Sequence, residues 1–173
     1  MVINLLPANP GWKAHFSKGF DTPRLEVRPF SDTDLESANA ILMERDIYRY
    51  VEDLENGNQG RAWFDRVRSK RNYLFLTMKD RILHGMVGLA VLDMCPDTSL
   101  RLGGFLGESH WQKGYATDFL LGLKTFLDSS HPSFMVFAHV HENNLGARRA
   151  LEKAGFRISP ESQSDGRIKY LMR

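Results

Sequence analysis

Three strand-length apolar runs lie close together in the middle of the chain, and this grouping constrains the fold more than any other feature of the sequence. The runs cover residues 73–78, 86–92 and 100–106, and short polar turns separate them. Strands joined by short turns pair antiparallel, because a parallel pair needs a longer crossover connection. The sequence therefore predicts an antiparallel meander at the centre of the fold.

Helical patterns flank the meander on both sides. Before it, Leu25 and Val27 alternate with charged residues and predict a first strand that ends at Pro29. Ser31 and Asp34 have the spacing of a capping box and predict the start of a helix. The remaining expected elements are helices through 62–67, 115–127 and 147–154, and strands over 134–140, 156–158 and 168–172. The order of these elements predicts an α+β fold.

The length of 173 residues predicts one domain. Pro7, Pro10, Gly11 and Gly19 break the beginning of the chain, so we expect an irregular N-terminal arm over residues 1–20 and a single domain over 21–173. The sequence shows no basic, apolar signal segment at its start and no run of 18 apolar residues. The expected location is therefore cytoplasmic, with no membrane partner.

Charge and cysteine content argue against several classes of protein. The net charge is only +2, from 23 basic and 21 acidic residues, and does not indicate a nucleic-acid protein. The basic run at 66–71 could contact RNA, but a solvated helix end explains it more simply. Cys95 is the single cysteine, beside Pro96 in a turn-like context, so we interpret it as a loop residue and not as a nucleophile. The sequence predicts no metal site.

The segment from Gln112 to Thr117 joins a predicted strand to a predicted helix and is suited to bind phosphate. The first amides of a helix have no partner within it and lie at the positive end of the helix dipole. Gly114 removes a side chain where a phosphate would approach, and Lys113 adds positive charge. On its own this pattern is more often an ordinary loop-to-helix junction, and it has neither the P-loop nor the dinucleotide-binding spacing.

A second motif follows the next predicted strand and gives the first one more weight. The sequence reads Trp-Gln-Lys-Gly-Tyr-Ala-Thr at 111–117 and Asn-Leu-Gly-Ala-Arg-Arg-Ala-Leu-Glu-Lys-Ala-Gly-Phe at 144–156. Together the two motifs resemble the GNAT acetyltransferase superfamily, most closely its branch of ribosomal-protein N-terminal acetyltransferases. The resemblance covers about residues 24–173 and includes Arg-Leu-x-x-Arg-Pro at 24–29.

This resemblance implies a GNAT-like three-layer fold, in which helices flank a mostly antiparallel sheet that a bulge in the fourth strand splits into a V. We expect that bulge at Gly103 and Gly104. The implied acyl donor is acetyl-CoA. Its pantetheine arm would pair with the backbone of Gly104, Phe105 and Leu106, and Asn144 would contact the same arm. The residues implied to hold its pyrophosphate are Gln112, Lys113, Gly114, Tyr115, Ala116 and Thr117.

The chain departs from the family pattern at three positions. Trp111 stands where many members have Arg or Gln, and Ala147 stands where Ser is common. Leu151 occupies the position of the tyrosine that usually protonates the departing thiolate. The leaving group must therefore take its proton from another group or from water.

Some members of the family carry a glutamate as the general base five residues before the asparagine, and His139 stands at that position here. An imidazole suits this task at neutral pH, and His141 shares its face if the strand is regular. Both could instead be hydrogen-bonded wall residues. Weaker candidates for the base are Glu108, Ser109 and His110. A strand amide near Leu106 is expected to stabilise the developing oxyanion.

The expected function is transfer of an acetyl group from acetyl-CoA to a primary amine, by direct attack in a ternary complex. A protein or peptide N-terminus is the acceptor that the branch favours, and amino acids, polyamines and amine antibiotics stay open. The alternative is a CoA-binding sensor or regulatory module without turnover. Tyr48 and Tyr50 could line the acceptor pocket or pack in the core. The sequence leaves monomer and homodimer equally open.

Overall fold

A computed structural model of the protein describes residues 11–51, 54, 56–130, 134–161 and 166–172. Within these ranges it is a mixed α/β structure. The strands are β1 (Phe20–Asp21), β2 (Leu25–Pro29), β3 (Tyr73–Asp80), β4 (Met86–Met94), β5 (Leu100–Leu106), β6 (Val136–His141), β7 (Arg157–Ile158) and β8 (Arg167–Leu171). The α-helices are α1 (Leu35–Leu42), α2 (Gly57–Val67), α3 (Tyr115–Ser130) and α4 (Leu145–Lys153). Short 3-10 helices cover Trp12–Phe16, Asp32–Asp34, Asp46–Tyr48 and Glu108–His110.

The strands form one eight-stranded sheet in the order β1-β2-β3-β4-β5-β6-β8-β7. Strands β3, β4 and β5 pair antiparallel, which confirms the predicted meander. Strands β5 and β6 pair parallel, but only Leu100 with Val136 and Arg101 with Phe137. Beyond these two pairs both strands continue without pairing to each other. The sheet is therefore split into a V between β5 and β6.

The predicted position of the bulge is wrong. The register of β4 with β5 is continuous from Gly88 opposite Leu106 to Met94 opposite Leu100, so Gly103 is paired without a bulge. The register shift lies between β3 and β4, where Val87 is the extra residue of β4. Gly104 has a different reason to be glycine, because an added Cβ would lie 2.7 Å from the Leu89 carbonyl oxygen.

Hydrophobic residues pack on both faces of the sheet, because neighbouring strand residues point to opposite sides. Leu76, Ala90 and Leu92 face the larger cluster, which includes the buried residues of α3 and α4. Phe75 and Leu89 face a smaller cluster, which includes Ala38 and Leu42 of α1 and Phe64 and Val67 of α2. None of the described helices has the length and apolar character that a bilayer crossing requires.

The expected irregular arm is ordered and packed where the structure describes it. Trp12, Phe16 and Phe20 belong to the larger core cluster and are at most 9% exposed. The rings of Phe16 and Phe20 lie 5.3 and 5.1 Å from that of Phe126 on α3. Residues 11–20 therefore form part of the core behind α3, whereas residues 1–10 lie outside the described residues.

Side-chain caps precede α1 and α2 as well as α4, whose cap belongs to the site described below. The predicted capping box of Ser31 and Asp34 is present directly before α1. The second helix, α2, begins at Gly57, where the Asn56 side chain accepts a hydrogen bond from the Gln59 N–H at 3.1 Å.

Candidate active site

The open edge of β5 directs backbone groups into the gap between β5 and β6. The Gly107 N–H donates to the Val87 carbonyl on the β4 side, whereas the Leu100 N–H donates to the Met135 carbonyl on the β6 side. Successive residues of a strand alternate in this direction. The amide and carbonyl groups of Gly104 and Leu106 therefore face the gap.

The backbone of Phe105 does not face the gap, so this residue borders the gap with its ring alone. By the same alternation its amide and carbonyl point to Leu89 on β4. Its half-buried ring lies 5.8 Å from the ring of Tyr48 and 6.1 Å from that of Trp63. Phe105 is thus part of the aromatic wall below α2, next to the gap.

Trp111 connects the end of β5 with the loop that leads into α3. Its indole Nε1–H donates to the Leu106 carbonyl at 2.9 Å, and the side chain stays partly exposed. This contact uses the Leu106 carbonyl but leaves the Leu106 N–H directed into the gap. The loop therefore folds back against the end of β5, beside the gap between β5 and β6, before α3 begins.

The start of α3 has open amides. The first hydrogen bond of this helix joins the Asp118 N–H to the Gly114 carbonyl at 3.0 Å, so the amides of Tyr115, Ala116 and Thr117 have no acceptor within the helix. Gln112 and Gly114 both have a left-handed backbone, with φ of 59° and 83°. The exposed loop thus presents amides at the positive end of a helix, an arrangement that binds anions.

A buried hydrogen bond fixes the first residue of α3. The Tyr115 hydroxyl donates to the Asp80 carboxylate at 2.5 Å, and the same carboxylate accepts from the Ile82 and Leu83 amides at 2.8 Å. These three bonds, the one from Tyr115 above all, lower the pKa of Asp80 to about 2. The same bond raises the pKa of the Tyr115 hydroxyl. Asp80 is thus an anion that anchors α3 to the turn after β3.

The hairpin of β1 and β2 supports the same loop. The Thr22 hydroxyl donates to the Asp118 carboxylate in the first turn of α3. Arg24 donates to the Lys113 carbonyl and places its guanidinium 4.1 Å from the centre of the Tyr115 ring. Sequence reasoning did not identify Thr22, Arg24 or Asp80 as parts of this site. The Arg-Leu-x-x-Arg-Pro segment was the one available signal, for Arg24.

His139 and His141 lie on β6, on the face opposite the buried Val140. This confirms that the strand is regular and that the two histidines share a face. The His139 ring is 5.2 Å from that of Phe137, and the His141 ring is 5.5 Å from that of Tyr50. The His141 Nδ1 accepts from the Asn143 N–H at 3.2 Å, so the proton of its neutral form is on Nε2.

The two tyrosines before α2 have different surroundings. Tyr48 is buried, its hydroxyl donates to the Leu42 carbonyl at 2.5 Å, and burial raises its pKa to about 12. Tyr50 is half-buried and lies beside His141. Tyr48 is therefore a core residue, and Tyr50 faces the same region as the histidines.

Asn144 and Leu151 show what α4 contributes. The Asn144 side chain caps this helix by accepting from the Ala147 N–H at 3.2 Å. Its amide NH2 group has no role in that cap. Leu151 is 4% exposed and packs in the core, so this position offers neither a proton donor nor a surface at the gap.

Two carboxylates link the loop after β5 to the loop after α1. The Glu108 N–H donates to Glu44 at 2.5 Å, and the Glu108 carboxylate accepts from the Asp46 N–H at 2.7 Å. Ser109 is exposed, and the His110 ring lies 5.7 Å from that of Tyr115. Glu108 thus has a structural function in joining two loops.

Cys95 lies in the turn between β4 and β5, as predicted. Burial, followed by the negative charge of Asp93, raises the pKa of its thiol. A thiol that stays protonated is a weak nucleophile. Among the residues that the structure describes, no three His, Cys, Asp or Glu side chains are grouped so that they could hold a metal ion.

The profile of the acetyltransferase (GNAT) domain matches residues 24–157 of this chain, so the chain belongs to the GNAT acetyltransferase family. It is therefore an acyltransferase. The family uses acetyl-CoA as its acyl donor. No curated protein matches the sequence. The family is confirmed, and the ribosomal-protein branch stays a prediction.

Solved structures show the same fold. A GNAT-family acetyltransferase from Bacillus anthracis is 16% identical, with a TM-score of 0.70 over 88% of this chain and 96% of that one. A spermidine N-acetyltransferase from Vibrio cholerae in complex with CoA and spermine is 18% identical, with a TM-score of 0.62 over 85% and 92%. An aminoglycoside acetyltransferase in complex with coenzyme A and kanamycin is 17% identical, with a TM-score of 0.66 over 85% and 92%.

Proposed function

We propose that this protein transfers the acetyl group of acetyl-CoA to a primary amine, by direct attack in a ternary complex. One observation carries the proposal: the open edge of β5 leads, through Trp111, to the open amides at the start of α3. An extended arm with amide groups fits the first, and a pyrophosphate fits the second. The two parts follow each other along the chain in the order in which CoA presents them.

The residues of the gap can supply the groups that acetyl transfer needs. The amine nitrogen attacks the thioester carbon, a C–N bond forms, and the C–S bond breaks. The Leu106 N–H is directed into the gap and can donate to the oxygen as negative charge develops on it. His139 is the proposed acceptor of the amine proton. Leu151 is buried, so the departing thiolate takes its proton from solvent.

The remaining predicted cofactor residues keep their proposed roles. The amides of Gln112, Lys113 and Gly114 and those of the first turn of α3 would bind the pyrophosphate, with Thr117 adding a hydroxyl. The free amide NH2 of Asn144 is available to a carbonyl of the pantetheine arm, because only its oxygen is used in the cap of α4.

A peptide N-terminal amine is the acceptor that we propose, on the resemblance to the ribosomal-protein branch. Tyr50 and His141 lie together where an acceptor would approach β6. The spermine and kanamycin of the two CoA complexes are amines as well, so polyamines and amine antibiotics belong in the same acceptor screen.

Calorimetric titration with acetyl-CoA tests the donor site. We expect the wild-type protein to bind and Gly114→Asp to show no detectable binding, because its carboxylate would stand at the phosphate site. Gly166→Asp is the matched control. Gly166 has a similar backbone, with φ of 73° against 83° at Gly114, and an added Cβ there contacts nothing within 4 Å.

A thiol-release assay with a panel of amines then tests turnover. Release of CoA that depends on an added amine supports the transferase. Tight binding of acetyl-CoA without release by any amine would favour the regulatory alternative. Failure of the wild-type protein to bind at concentrations that reveal micromolar affinity would contradict the proposal.

A further inference from the structure

The guanidinium of Arg24 lies against three consecutive residues at the start of α3. Its Nη1 donates to the Lys113 carbonyl, and its Cζ lies over the Tyr115 ring, 4.1 Å from the ring centre. Between these two contacts, a Cβ added to Gly114 would lie 3.2 Å from the same Nη1. The side chain is exposed and crosses from the β1–β2 hairpin to the loop, 89 residues away in sequence.

No carboxylate among the described residues forms an ion pair with Arg24. Asp80 and Asp118 are the acidic groups that support this loop, and they accept hydrogen bonds from the Tyr115 and Thr22 hydroxyls. The charge of Arg24 contributes to the low pKa of Asp80. The positive charge is therefore available to a ligand.

The geometry of Arg24 leaves donors for that ligand. A guanidinium has five N–H groups in a planar fork, and one of them is used by the Lys113 carbonyl. The contacts with Lys113 and Tyr115 hold the guanidinium at the loop before a ligand binds, so little conformational entropy is lost when it binds a second acceptor. Phosphate oxygens are well matched to such a fork.

We propose that Arg24 is a phosphate-binding residue of the donor site and that it contacts the pyrophosphate of CoA together with the amides that follow Gly114. This inference rests on the proposed function and extends it to a residue outside the motif at 111–117. CoA also carries a 3′-phosphate on its ribose. The contact with Gly114, at the start of the helix, favours the pyrophosphate.

Arg81, in the turn between β3 and β4, provides a matched control because it contacts the β1–β2 hairpin. Its guanidinium donates to the Thr22 carbonyl at 2.9 Å, and its own N–H donates to the Arg24 carbonyl. It is exposed like Arg24 but has no contact with the loop among the described residues. Arg81→Gln therefore removes an equal charge next to the β1–β2 hairpin without removing a contact to residues 113–115.

Calorimetric titration of wild type, Arg24→Gln, Arg24→Lys and Arg81→Gln with CoA and with dephospho-CoA tests the proposal. We expect Arg24→Gln to weaken both ligands by the same factor, about 10- to 100-fold. Arg24→Lys keeps the charge without the fork and should lose less. Arg81→Gln should stay within about threefold of the wild type for both ligands.

Affinities of Arg24→Gln within twofold of the wild type would overturn the proposal. A loss for CoA with none for dephospho-CoA would overturn the pyrophosphate assignment and move the contact to the 3′-phosphate. If Arg24→Gln does not fold by circular dichroism, the same comparison is made with Arg24→Lys. A wild-type protein that binds neither ligand contradicts the proposed function itself, which separates the two failures.

Discussion

The two sides of the gap that we propose for the donor and for the acceptor are built differently. On the donor side, residues 112–118 follow one another in the chain. Buried groups anchor them: Tyr115 bonds to Asp80 and Asp118 to Thr22, and Tyr115, Asp80 and Thr22 are at most 9% exposed. On the acceptor side, Tyr50, Glu108 and His141 come from three separate segments and are exposed or half-buried. One region rests on the core, and the other is assembled at the surface.

This difference indicates which part of the site can change without loss of the fold. The donor is the same molecule throughout the family, and the loop that we propose for it is continuous with a helix packed in the core. The acceptor differs between the similar structures, which hold spermine in one case and kanamycin in another. Surface loops tolerate substitution better than core elements do. Substitutions on the two sides should therefore change different constants.

The largest expected effect is on the acceptor side. His139→Ala should lower kcat/KM for the best amine of the screen by about 10²- to 10⁴-fold, because the amine proton loses its acceptor. The loss should shrink at high pH, where more of the amine is already neutral. The Kd for acetyl-CoA, from calorimetry, should stay within about twofold. A loss below tenfold, or an equal loss of donor affinity, would return His139 to the role of a wall residue.

Phe16→Ala tests whether the donor side depends on the core behind α3. We expect a loss of about 3–5 kcal/mol in the free energy of unfolding in urea, because a fully buried aromatic ring leaves a cavity against Phe126. Ile82→Ala is the control: that side chain is 85% exposed, and its loss should cost less than about 0.5 kcal/mol. A loss below about 1 kcal/mol for Phe16→Ala would restore the view of residues 11–20 as a loose arm.

Acid should weaken the donor side through Asp80. Its pKa of about 2 in the folded protein lies below the unfolded value of about 3.9, so its contribution is complete above pH 4 and is lost as the pH falls towards 2. The difference in urea midpoint between wild type and Asp80→Asn should fall by about half between pH 7 and pH 3. A difference that stays constant over this range would show that the charge of Asp80 is not what anchors Tyr115.

The smallest expected effect comes from Glu44→Ala. It removes the acceptor of the Glu108 N–H between two surface loops, so the KM of the amine should rise about two- to fivefold while donor affinity stays unchanged. Glu36→Ala, an exposed acid of α1, removes the same charge without this contact and should leave both constants unchanged. A change in the Kd of acetyl-CoA on Glu44→Ala would break the distinction between the two sides.

The parts of the structure that the sequence predicted are those determined by local pattern. The strands β2 to β5, the helix α3 and the capping box before α1 appear close to where periodicity and cap residues placed them. The open amides at the start of α3 follow from a helix beginning after Gly114. The short β1 was not predicted, because two residues give no period.

The missing parts depend on contacts that are distant in sequence. Thr22 meets Asp118 across 96 residues, and Tyr115 meets Asp80 across 35, and no spacing rule connects such pairs. The bulge was misplaced because two adjacent glycines resemble one, whereas Gly104 is small so that β4 can approach closely. The residues of the acceptor side could not be assigned from the sequence for the same reason, because its loops come together only in the folded chain.

The two-pair contact between β5 and β6 has a consequence for handling the protein. Past that contact, the backbone groups of Gly104 and Leu106 have no partner strand, although β5 lies in the middle of the sheet. An unpaired strand edge is a place where strands of other chains can add. A ligand that lies along this edge occupies its hydrogen-bonding groups and also stabilises the folded state by mass action, by about 2.7 kcal/mol at a hundred times its Kd. If CoA lies along this edge as we propose, the protein should be least prone to aggregate and most resistant to heat when it is purified and stored with CoA.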